Sequence, residues 1–148
     1  MLKVMEWMKY DALNLGISEL LFGNKFLESS RSLVSFPYIA SNLLYQGNRL
    51  PWTSEYIIKE AGGIKVAILG VLNPDDLAKY LNQEQVKMLQ AIPPEAALQR
   101  LLPEVRQKAD LVILLSQLGA AKTRELAEAL KGIDMAISSG RNDLSNPK

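Results

Sequence analysis

The apolar positions of this chain change period along its length, and the period names the elements. Met1, Val4, Met5 and Met8 recur at i, i+3, i+4 and i+7, which predicts an amphipathic helix with those residues on its buried face. Tyr10 to Leu15 reads as a strand ended by Gly16, and Ser18 is placed to cap the helical turn Ser18–Phe22. After the break at Gly23-Asn24, a second helix is expected over Asn24–Leu33, then a strand over Phe36–Leu44 and a turn at Gln46–Asn48. Tyr56–Glu60 and Ile64–Leu72 are strands joined through Gly62-Gly63, the composition of a tight hairpin. The second of them is almost continuously apolar, the pattern of a strand covered on both faces.

The second half alternates helix and strand. Pro74–Leu89 is polar and reads as a surface excursion with some helix. Pro93-Pro94 opens a helix whose stripe is Ala97, Leu98, Leu101, Leu102 and Val105. Pro103 inside that stripe predicts a kink or a restart. Asp110–Ser116 is a buried strand by composition, Thr123–Lys131 a helix with Gly132 as its cap, and Ile133–Ser138 a last strand before a polar tail from Arg141 to Lys148. This succession predicts one α/β layered domain over residues 1–148, with Leu114 and Val66 as core positions on neighbouring strands.

Composition narrows the chemistry. The 148 residues carry 17 basic and 16 acidic side chains, a net charge of +1, and no basic stripe of the kind nucleic-acid binding requires. No apolar run has the length of a membrane span. Met1–Lys9 lacks the long apolar core and cleavage site of a signal peptide. The absence of cysteine excludes disulfides, thiolate metal sites and a cysteine nucleophile. Histidine is also absent, so a serine triad would have no base, and Gly16 with Ser18 lacks the nucleophile-elbow spacing besides.

The segment Tyr10-Asp11-Ala12-Leu13-Asn14-Leu15-Gly16-Ile17-Ser18-Glu19 resembles the part of calcineurin-like metallophosphatases that holds the Gly-Asn-His-Glu motif. The likeness continues through Phe36-Pro37 with Ser41–Leu43, Tyr56–Gly70, Ala109–Gly119 and Gly132–Gly140, in the order and spacing of the 5′-nucleotidase branch. It implies a truncated metallophosphatase-like layered sandwich with a mostly parallel or mixed central sheet, and an exported, periplasmic or extracellular, parent protein. It also implies that the metal-ligand motifs are lost. Ile17 and Ser18 stand where the family has Asn and His, Gln117 stands for the histidine of Ser-His-Leu-Gly, and Gly140 and Asn142 stand for those of Gly-His-x-His. The family's opening metal motifs have no match, so the chain is expected to begin inside the domain, as a gene that lost its front or as a piece of a longer protein.

The expectation is therefore no catalytic, cofactor or metal residues, and a scaffold or interaction module. The alternatives are a divergent phosphoesterase or nucleotidase-like hydrolase, or one part of an assembly that completes the site. Self-association or a partner chain is expected to cover the side where the family's front would lie, against the strand Tyr10–Leu15, with Leu13 and Leu15 left bare; the opposing possibility is that the opening helix closes the gap. Other constellations have simpler readings. Glu19 with Asp11 could be an acid/base pair, but Glu19 as a local cap is simpler. Gly62-Gly63 is a turn before it is a phosphate loop, and Ser138–Arg141 a strand-end loop before an anion site. Trp7 and Trp52 are expected to be partly buried in their own domain rather than to serve as interface anchors.

Overall fold

The computed structural model describes residues 1–139. In chain order the elements are α1 (Leu2–Trp7), β1 (Leu13–Asn14), α2 (Ile17–Leu20), α3 (Asn24–Ser30) with a 3-10 turn Arg31–Leu33, β2 (Tyr38–Ile39), β3 (Leu43–Tyr45) and β4 (Asn48–Arg49). There follow β5 (Tyr56–Ala61), β6 (Ile64–Leu72), α4 (Pro74–Tyr80), α5 (Gln83–Met88), β7 (Leu89–Ala91), α6 (Pro94–Lys108), β8 (Leu111–Gln117), α7 (Ala120–Ala129) and β9 (Met135–Ser138). They form a parallel pair β1-β2, an antiparallel triplet β4-β3-β7 and a mixed four-stranded sheet in the order β5-β6-β8-β9. The mixed α/β architecture is the one expected.

The four-stranded sheet is built as its sequence dictates. Gly62 and Gly63 take φ of 61° and 82°, the left-handed pair that a two-residue hairpin needs. β6 then runs parallel to β8, and β8 to β9, through helical crossovers. One face of this sheet, carrying Ala67, Leu69, Val71, Val112 and Leu114, packs on Leu98, Leu101, Leu102 and Val105 of α6 to form one core. Pro103 does not end or restart α6, which continues to Lys108. The burial of Leu101, Leu102 and Val105 around it outweighs the roughly 3 kcal/mol an interior proline costs.

The other face is not covered throughout. Burial along β8 alternates, with Val112, Leu114 and Ser116 buried and Ile113 and Leu115 only half-buried. On β6 the first residues are exposed and Val66 is half-buried, so the expectation of a strand covered on both faces, with Val66 in the core, is corrected. Leu114 is buried and lies on the strand next to β6, as expected.

A second core gathers Leu15, Leu20, Leu27, Phe36, Tyr38, Leu43, Leu50 and Trp52, joined by Leu72, Leu77 and Leu89. Trp52 meets Tyr38 edge-on at 6.1 Å, whereas Trp7 is 83% exposed, against expectation. The opening helix forms, but its inward residues are Leu2 and Met5; Met1, Val4 and Met8 face outward. The Glu6 carboxylate fixes that orientation by accepting the Ser35 backbone N–H at 2.7 Å, a bond that holds its carboxyl below the usual range.

Several strands are shorter than their apolar patterns suggest. Only Leu13–Asn14 of the Tyr10–Leu15 segment is strand, and it pairs with β2. Leu15 is fully buried and Leu13 half-buried, so that segment does not bare Leu15 as expected. Phe36–Leu44 splits into β2 and β3 because Ser41 and Asn42 turn their side chains onto backbone groups. Ser41 Oγ donates to Glu55 O and accepts from Gly70 N–H, and Asn42 spans Leu72 and Ile92. Gly16, not Ser18, is the N-cap of α2. α7 begins at Ala120 and ends on Leu130, with Gly132 (φ 107°) in the turn beyond.

Asn14 ties β1 to the large sheet without strand pairing. Its Nδ2 donates to Val71 O at 3.2 Å and Leu115 O at 3.1 Å, and its Oδ1 rests, unpaired and buried, over Gly70. A Cβ on Gly70 would lie 2.2 Å from that oxygen. Gly70→Ala is therefore expected to destabilise by about 1–3 kcal/mol through overpacking. A urea midpoint equal to that of the parent would show that Asn14 is free to move.

Candidate functional site

Four strand ends converge on one cleft. β1 ends in Asn14 and leads through Gly16 into α2; β6 ends in Leu72 and leads through Asn73 into α4; β8 ends in Gln117 before Leu118-Gly119; β9 ends before Ser139. The cleft between them holds about 650 Å³ and is lined by Ile17, Ser18, Glu19 and Leu21, by Asn73, Asp76, Lys79 and Tyr80, and by Gln117–Gly119 and Ser139. The carboxyl ends of strands are where α/β folds place ligands.

Ile17, Ser18 and Gln117 are thus brought together as expected. Gly140 and Asn142 lie outside the described residues, as does Arg141. Asp11 is elsewhere: it pairs with Lys59 at 3.4 Å, so Asp11 and Glu19 do not line one site. Glu19 accepts the Gly16 N–H at 3.0 Å, the local cap that was the simpler reading. Gln117 lies against Gly16, its Oε1 1.8 Å from where a Cβ would stand, with its Nε2 3.5 Å from Asn14 O. A glycine at position 16 is what lets this amide lie flat across the cleft wall.

The α4 contribution was not foreseen, because Pro74–Leu89 reads as surface. A signal was present: Asn73-Pro74-Asp75-Asp76 joins an N-cap, a proline at the first helical position and acidic first-turn residues. Asn73 Oδ1 accepts from Asp75 N–H at 3.3 Å, and the helix it starts brings Asp76, Lys79 and Tyr80 to the cleft. Lys79 Nζ stands 5.1 Å from the Tyr80 ring centroid.

The donors do not fit a two-metal centre. The cleft offers two carboxylates, Glu19 and Asp76, and one of them is bonded to a backbone amide. The remaining oxygens are amides and hydroxyls, weak ligands for transition metals. Among the described residues no three His, Cys, Asp or Glu side chains come together. Nor do the described residues form a cationic clamp, since Lys79 shares the cleft with two acids. The lining suits hydrogen bonding better than capture of a dianion. No helix of the described residues is long and apolar enough to cross a membrane.

No family model matches the chain. It is similar to an uncharacterized metallophosphoesterase, YunD, of Bacillus subtilis, 34% identical over 111 residues that cover 74% of this chain and 23% of the relative. A 5′-nucleotidase of Vibrio cholerae is 27% identical over 119 residues, 79% of this chain and 21% of the relative. The chain therefore spans less than a quarter of these curated relatives. In structure it superposes on the calcineurin-like phosphoesterase YfkN of Bacillus subtilis with a TM-score of 0.78 and 26% identity, over 93% of this chain and 46% of that one.

Proposed function

We propose, for a chain that resembles the calcineurin-like metallophosphoesterases and 5′-nucleotidases in sequence and shares their fold, that it is one part of a nucleotidase-like phosphoesterase. In this reading it supplies a wall of the substrate cleft, and the donors for hydrolysis come from outside its described residues. The observation that carries it is the meeting of Ile17, Ser18, Gln117 and Tyr80 at converging strand ends, in a fold whose relatives are phosphoesterases. Ser18 and Asp76 offer partners for sugar hydroxyls, and the Tyr80 phenol lies beside them.

A second reading, a non-catalytic scaffold or binding module, is favoured by one feature. Ile17 has no lone pair, and Gln117 spends its amide on the cleft wall. Both readings make the isolated chain inert, because no histidine is present to move a proton and the described residues of the cleft form no metal donor set.

One measurement tests what the two readings share, and a second separates them. Elemental analysis after dialysis against Mn²⁺ and Zn²⁺ is expected to find clearly less than one metal per chain, with nucleoside monophosphate hydrolysis at background. Two tightly held metals per chain, or turnover abolished by Glu19→Ala, would overturn both. Titration with adenosine monophosphate is expected to give saturable binding that weakens in Tyr80→Ala. If no binding is seen at millimolar nucleotide, the phosphoesterase reading fails and the scaffold reading stands.

A further inference from the structure

Gln117 is the last residue of β8 and borders the cleft. Its carboxamide lies flat on Gly16: a Cβ there would stand 1.8 Å from Oε1, 2.1 Å from Nε2 and 2.2 Å from Cδ. Gly16 has φ −124° and ψ −173°, extended backbone that any residue adopts. Glycine is therefore needed at this position for room and not for conformation.

Asn14 supplies the second support. It is 9% exposed. Its Nδ2 donates to Leu115 O, two residues before Gln117, and to Val71 O, two residues before Asn73. Its backbone oxygen faces Gln117 Nε2 at 3.5 Å. One buried residue thus fixes the ends of β1, β6 and β8 around the amide. A side chain held in this way has little freedom left to lose when a ligand arrives, which is what a recognition group needs.

What the amide can read follows from its atoms. A carboxamide has two N–H donors and an accepting oxygen. Among the described residues one N–H turns to Asn14 O, which leaves the other and the oxygen. A donor beside an acceptor matches the edge of a nucleobase, as when glutamine pairs with adenine. The charge around it selects further. Glu19 and Asp76 outnumber Lys79 in the described lining, so a phosphate dianion is repelled there and an uncharged ligand is not.

We propose that the cleft recognises the uncharged nucleoside part of its ligand, with Gln117 reading the base edge and Gly16 and Asn14 as its positioning residues. This rests on the nucleotidase-like reading of the cleft and adds a ligand class to it. The described wall holds adenosine at least as well as adenosine monophosphate.

Titration calorimetry of the full chain with adenosine, adenosine monophosphate and inorganic phosphate, beside urea denaturation, tests it. Adenosine is expected to bind saturably and at least as tightly as the monophosphate, and inorganic phosphate is expected not to compete. Gln117→Ala should weaken adenosine about tenfold or more, the discrimination one such amide contributes, with a urea midpoint close to the parent's. Gly16→Ala should weaken adenosine by a similar factor and lower the urea midpoint, because its methyl group and the amide claim one space. Combining Gly16→Ala with Gln117→Ala should return the midpoint toward the parent's without further loss of affinity, the coupling that a direct contact produces. If Gly16→Ala does not fold, Gln117→Ala alone decides. Adenosine affinity unchanged in Gln117→Ala overturns the inference. Binding of the monophosphate without adenosine, or competition by inorganic phosphate, also overturns it and leaves the nucleotidase-like reading in place. If neither adenosine nor the monophosphate binds at millimolar concentration, both fall.

Discussion

Replacing Asn42 with alanine is expected to destabilise the fold by about 2–4 kcal/mol, since each buried backbone group left without a partner costs roughly 1–3 kcal/mol and entering water recovers part of it. Asn42 is 1% exposed. Its Nδ2 donates to Leu72 O at 3.0 Å and Ile92 O at 2.9 Å, and its Oδ1 accepts from Leu72 N–H at 3.0 Å. One side chain thus satisfies three backbone groups on two separate segments, in place of the strand pairing the chain does not make there. Asn42→Asp should be worse, because it keeps the acceptor but sets a carboxylate against two carbonyl oxygens. Urea denaturation followed by circular dichroism measures both. A loss below about 1 kcal/mol for Asn42→Ala would mean that water replaces the amide at little cost.

Leu114→Ala is the second large effect, about 2–5 kcal/mol. Leu114 is fully buried at the centre of the core between the four-stranded sheet and α6. Its chain neighbour Ile113 points to the open face and is only half-buried. Ile113→Ala removes the same number of carbons yet should cost well under half as much, because partly exposed side chains lose less transfer free energy and leave no closed cavity. Equal losses at the two positions would show that both faces of β8 are covered, by a route the described residues do not contain.

These two sites mark the boundary between what a linear pattern conveys and what it does not. The hairpin at Gly62-Gly63, the long helix from Pro94, the strands β6, β8 and β9 and the α/β alternation all follow from local periods and turn chemistry. In each case the signal lies within a few consecutive residues. The pattern over Phe36–Leu44 reads equally well as one strand, because nothing local says that Ser41 and Asn42 find their partners at positions 55, 70, 72 and 92. Pro103 signals a break that the surrounding core overrides. The opening helix was legible as a helix, but its inward face was not: the apolar period fits several rotations, and the Glu6–Ser35 hydrogen bond selects one.

The candidate cleft divides the same way. Ile17, Ser18 and Gln117 were marked by a resemblance in order and spacing, and the folded chain brings them to one wall. Asp76, Lys79 and Tyr80 were hidden, since polar residues on a short helix look like solvated surface until a strand end fixes where that helix begins. By itself the sequence determined the α/β class, the residue types at the motif positions and hence the lack of histidine and thiolate chemistry, because composition and local period need no partner to be read. Tertiary structure alone decided which face of the sheet α6 covers and which side chains share the cleft. Those depend on contacts between segments far apart in the chain, and no single segment carries them.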